Sequence, residues 1–98
     1  MMASRHDRMR ENEELFRTAN DRLRKHVEDA VAPGEAVPFI CECMDELCMK
    51  RIDLTLGEYR QVRARDDTFA VAPGHAAPRG EVVVDQHDGF HVVRKETP

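Results

Sequence analysis

Three cysteines fall within eight residues of this 98-residue chain, in the string Phe39-Ile40-Cys41-Glu42-Cys43-Met44-Asp45-Glu46-Leu47-Cys48, and there are no others. So dense a group of thiols restricts how the middle of a small domain can be built. Three cannot all pair with one another as disulfides. Met1 to Arg10 has no long apolar run and lacks the basic-then-apolar order of a secretory signal. The expected setting is therefore cytoplasmic and reducing, where thiols bind metal more often than they oxidise. A ligating cysteine is a thiolate, and three thiolates with one imidazole form a common closed tetrahedral set for zinc.

The expected metal ligands are Cys41, Cys43, Cys48 and His75. His75 is the preferred nitrogen donor because Pro73-Gly74 makes a turn that can aim it inward. His87 and His91 are alternatives placed in a hairpin, and His6 and His26 belong to the N-terminal helix. A lone free cysteine is often just a small buried hydrophobe, and redox pairing of two thiols is a further alternative. Three cysteines in one short string favour the metal. A [2Fe–2S] cluster on three cysteines and a histidine places its histidine soon after the last cysteine. Here His75 comes 27 positions after Cys48, so zinc is the expected cofactor.

A chain of this length makes one small domain with a modest core. It has no Trp, one Tyr and four Phe, so aromatic burial is limited and a structural metal would help. The charged fraction is 35% and no apolar run approaches the roughly 18 residues of a membrane span, so no membrane association is expected. The net charge of -4 argues against a general nucleic-acid binder. That charge is uneven: residues 1–25 hold seven Lys+Arg against five Asp+Glu, and residues 26–98 hold eight against fourteen.

Along the chain, residues 1–5 read as frayed and Asp7 to Val31 as a helix. Leu15, Phe16, Ala19, Leu23, Val27, Ala30 and Val31 recur at spacings of three and four. Pro33-Gly34 ends it. Ala36 to Cys43 reads as a strand with Phe39, Cys41 and Cys43 on one face, and Arg51 to Thr55 as a second. Thr55-Leu56-Gly57-Glu58 fits a capping box ahead of a short helix to about Ala64. Thr68 to Ala72 is a third strand and Ala76 to Gly80 a loop. Glu81–Asp85 and Phe90–Lys95 form a hairpin whose Asp88-Gly89 predicts a tight turn with positive φ at Gly89. The expected fold class is α+β: a long N-terminal amphipathic helix over residues 1–32, then a metal-stabilised domain over 33–98 with a small antiparallel sheet, one short helix and a zinc-stabilised turn.

These residues also resemble a group of short bacterial proteins without an established activity. The resemblance is carried by Phe39-Ile40-Cys41-Glu42-Cys43…Cys48, Leu54-Thr55-Leu56-Gly57-Glu58-Tyr59-Arg60-Gln61-Val62-Arg63, Phe69-Ala70-Val71-Ala72-Pro73-Gly74-His75, Val82-Val83-Val84 and Val92-Val93-Arg94-Lys95. The shared pattern runs CEC…C…LT..EY..VR…F.V.PGH…VV…VV.K and covers about residues 11–95. It implies that Cys41, Cys43, Cys48 and His75 form a set and implies no function. Where the group would place an acid after Pro-Gly-His, this chain has Ala76.

The functional expectation is a small zinc-binding interaction or regulatory module with a structural metal. Its expected contact is an unidentified protein partner met by the N-terminal helix, or self-association through Leu15 and Phe16 at an overhanging end. One alternative is a nucleic-acid-associated zinc protein using Arg5, Arg8, Arg10, Arg17, Arg22 and Arg24 against phosphates. Another is a zinc or thiol enzyme or redox sensor. No nucleophile–base set or Gly-rich phosphate loop supports catalysis, so a non-enzymatic role is expected.

Overall fold

The computed structural model describes residues 5–43, 45, 47–76 and 80–96. Of residues 1–5, expected to be frayed, 1–4 lie outside them and Arg5 begins the first helix; the middle of the Ala76–Gly80 loop also lies outside. The fold is α+β, with α1 (Arg5–Val27), β1 (Ala36–Ile40), β2 (Arg51–Thr55), α2 (Leu56–Arg63), β3 (Thr68–Val71), β4 (Glu81–Gln86) and β5 (His91–Lys95). The expected antiparallel sheet is divided into a two-stranded ladder, β1-β2, and a three-stranded one in the order β3-β5-β4.

Alternation builds the first ladder. Val37 and Phe39 face Leu54 and Ile52 across the pair and are buried, while Ala36, Pro38, Arg51 and Asp53 are exposed. Phe39 then stacks on Tyr59 of α2, with ring centroids 4.3 Å apart. The Thr55 side chain accepts the Glu58 N–H, and the Glu58 carboxylate accepts the Thr55 N–H, so the expected capping box starts α2.

The second ladder differs from expectation at its turn. Positive φ occurs among the glycines at Gly34, Gly74 and Gly80, not at Gly89. The His87 N–H donates to the Phe90 carbonyl, their rings stack, and Val84 is the extra residue of a bulge opposite Val92 and Val93. A bulge adds local twist, so this hairpin does not depend on the left-handed glycine of a primed turn.

Two polar residues sit in the buried stripe of α1. Glu13, Phe16 and Asn20 are buried, and Leu23 and Val27 pack against the core. Their spacing of three and four is helical. Leu15 is 62% exposed whereas Phe16 is 7% exposed, which corrects the expected exposed Leu-Phe pair. Arg63 of α2 makes a two-pronged pair with Asp21 at 3.0 and 2.9 Å, and Lys95 of β5 reaches Glu13 at 2.6 Å. Arg17 lies over the Phe69 ring at 4.7 Å and donates to the Asp66 carbonyl. These contacts tie α1 to the rest of the domain. Its α-helical assignment ends at Val27, where the Ala30 and Val31 N–H groups both turn back to the Val27 carbonyl. No helix among the described residues is long and apolar enough to cross a membrane.

Candidate metal centre

The strand expected to run to Cys43 stops at Ile40 because the chain changes hydrogen-bonding partner there. The Cys41 N–H still donates to Lys50 on the β2 side, at 2.8 Å. The next residue, Glu42, donates its N–H to the Ala70 carbonyl of β3, also at 2.8 Å. Cys41-Glu42-Cys43 therefore spans from one ladder to the other and covers the edge of β3 that β5 leaves open. An uncovered strand edge would present unpaired backbone groups.

This bridge also places the first two thiols. Cys41 is fully buried and its Sγ accepts the Ala72 N–H at 3.1 Å. Cys43 is buried and its Sγ lies 4.0 Å from the Asp45 carbonyl. Asp45 shapes the loop that returns Cys48: its side chain accepts the Leu47 N–H and its carbonyl accepts the Cys48 N–H. On the other side, the His75 N–H closes a turn onto the Ala72 carbonyl, with Gly74 at φ +82°. Only glycine adopts that conformation without penalty.

The result is one cluster. The donor atoms of Cys41, Cys43, Cys48 and His75 all lie within 4.8 Å of one another. His75 Nδ1 is 3.6 Å from Cys41 Sγ and 3.6 Å from Cys48 Sγ. In a tetrahedral zinc site with Zn–S of about 2.3 Å and Zn–N of about 2.0–2.1 Å, sulfur and nitrogen are separated by about 3.6 Å and two sulfurs by about 3.8 Å. The four groups can hold a metal ion. All three thiols are free of disulfides. Among the described side chains, His26, His87 and His91 are not part of this cluster; His26 and His87 are exposed, and His87 is engaged with Asp85 at 2.8 Å. The His6 side chain lies outside the described ones.

The thiols are unequal. Cys41 is held below the ordinary thiol range by the hydrogen bond from Cys43 and also by the Ala72 N–H, against the effect of burial. Cys43 is pushed up because it donates to Cys41, and burial adds to this. Burial also raises Cys48. Cys41 is therefore the most readily ionised thiol of the three. A divalent cation held there would stabilise the three thiols as thiolates.

Sequence reasoning missed the residue between the cysteines. That residue, Glu42, is fully buried. Its Oε2 accepts from Asn20 Nδ2 at 2.8 Å and from the Tyr59 hydroxyl, and its Oε1 accepts the Ala70 N–H at 3.0 Å. Burial raises its pKa, and these three donors oppose the rise. Asn20, equally buried, also brackets Ile40, accepting its N–H at 2.9 Å and donating to its carbonyl at 2.8 Å. A helical asparagine four residues after Phe16 and three before Leu23 was the one available signal. Comparison with protein-family models, curated proteins and solved structures gives no match, so the centre is read from its own geometry.

Proposed function

We propose that this chain is a small interaction module whose metal is a structural zinc ion held by Cys41, Cys43, Cys48 and His75. The observation that carries the reading is the convergence of three sulfurs and one imidazole nitrogen to within 4.8 Å from three separate chain segments. Four protein donors fill a tetrahedral shell and leave no open position, which is the mark of a structural rather than a catalytic zinc. A two-iron cluster would divide its ligands between two metals and spread them more widely than this. The zinc joins the bridge between the ladders to the Cys48 loop and the Pro73-Gly74-His75 turn.

The proposed contact surface is the outward side of α1 around Leu15. A groove of about 670 Å³ lies there, lined by Glu11, Glu14, Leu15, Thr18, Asp66, Asp67, Phe69 and Lys95. Four carboxylates against one ammonium favour a partner that offers cationic and apolar side chains, and disfavour nucleic-acid phosphates. The metal reading is tested by chelation. A ligand bound at 100 to 1,000 times its Kd stabilises by about 2.7–4.1 kcal/mol. Removing zinc should therefore lower the melting temperature by about 10 °C or more, and adding zinc should restore it. A melting curve indifferent to chelator and to zinc would contradict the proposal.

A further inference from the structure

Glu42 stands between two ligands, contributes no donor to the metal set, and is fully buried. Its hydrogen bonds reach three different elements: Asn20 of α1, Tyr59 of α2 and both backbone groups of Ala70 in β3. We propose that Glu42 is a positioning residue of the metal centre. Its carboxylate fixes the Cys41–Cys43 backbone, so that two sulfurs stand ready before the ion arrives. Metal affinity then depends on a side chain that does not touch the metal. The inference rests on the zinc reading above and adds how that site is held.

The argument is one of chain freedom. Ordering a flexible ligand segment at the moment of binding opposes binding, and ordering it beforehand removes that opposition. Cys41 is fixed at its N–H by Lys50 and at its sulfur by Ala72. Glu42 is fixed by a reciprocal pair of bonds to Ala70, one from its backbone and one to its carboxylate. Cys43 follows directly. The chemistry also explains the residue type. A carboxylate sets two acceptor oxygens side by side, and here they meet three donors at once. A glutamine has one acceptor oxygen, and its amide would oppose one of those donors with another. Partners outside the ligand shell that orient a metal site are typically worth 10–100-fold in affinity.

The experiment is zinc competition against a chromogenic chelator, with cobalt(II) absorption as a report on ligand geometry. Wild type, Glu42→Gln, Tyr59→Phe and Val62→Ala are compared. Glu42→Gln should weaken zinc by about 10–100-fold and alter the cobalt bands. Tyr59→Phe removes one hydrogen bond while keeping the ring that stacks on Phe39 at 4.3 Å, and should weaken zinc by a smaller factor. Val62→Ala, a buried truncation that removes no hydrogen bond of Glu42, should lower the melting temperature and leave affinity and cobalt bands unchanged. Glu42→Gln with wild-type affinity and wild-type bands overturns the proposal. If Glu42→Gln does not fold, Tyr59→Phe decides: unchanged affinity and bands overturn it. Wild type that binds neither metal refutes the zinc reading as well, whereas variants that match a zinc-binding wild type refute this inference alone.

Discussion

Asn20→Ala is the substitution whose effect follows most directly from the geometry. The amide makes three hydrogen bonds, two to the Ile40 backbone and one to Glu42, at 2.8–2.9 Å. Asn20 is fully buried, so water does not replace these bonds at the surface. Truncation leaves Ile40 backbone groups and a carboxylate oxygen short of partners. Neutral hydrogen bonds contribute about 1 kcal/mol each and bonds to charged groups about 1.5–3, so the loss should be about 3–5 kcal/mol. For a domain of this size each kcal/mol moves the melting temperature by about 4–8 °C, so the midpoint should fall by about 12 °C or more. The assay is thermal or urea denaturation in the presence of chelator, which removes metal linkage from the comparison. Thr18→Ala, exposed two residues earlier on the same helix, should stay within about 0.5 kcal/mol of wild type. A loss below about 1 kcal/mol for Asn20→Ala would refute the claim that α1 is pinned to the end of β1 through this amide.

Leu15→Ser should leave the melting temperature within about 2–4 °C of wild type, whereas Phe16→Ser should destabilise by about 3 kcal/mol or more, because only the phenylalanine is buried. Equal effects in denaturation would show that the two side chains share one environment. Gly74→Ala should cost about 1–2 kcal/mol from backbone strain at φ +82°, since an added Cβ meets nothing within 4 Å. It should also weaken zinc, because Gly74 sets the turn that carries His75. Gly89→Ala, with no positive φ and only a 3.9 Å contact to the Asp53 carbonyl, should be nearly neutral by thermal melting.

The elements that were legible in the sequence are those written in local signals. The capping box at Thr55 and Glu58, the alternation of Ile52 and Leu54, and the valine runs of β4 and β5 each state a period or a cap. The donor set was legible because cysteines are few and close together. What the sequence did not reveal is which polar side chains are buried. Glu13, Asn20 and Glu42 are buried with distant partners: Lys95 for one oxygen of Glu13, Ile40 for Asn20, and Asn20, Tyr59 and Ala70 for Glu42. Such pairings join residues up to 82 positions apart and leave no local pattern. Phe16, a member of the expected apolar stripe, was also paired with Leu15 as an overhanging contact, yet it is buried and Leu15 is not. A stripe counted from apolar residues alone rotated the helix toward Leu15, while the true buried face runs through Glu13, Phe16 and Asn20. At Gly89 an Asp-Gly turn signal met a hairpin that carries a bulge at Val84 instead.

The claim that three cysteines and His75 hold one structural zinc is tested most directly by native mass spectrometry of the purified chain with elemental analysis of the same sample. The account predicts one zinc per chain in the wild type, protection of all three thiols from alkylation, and loss of both in Cys43→Ser. A wild-type native mass equal to that of the bare polypeptide, with Cys41, Cys43 and Cys48 freely alkylated in the folded protein, would contradict it.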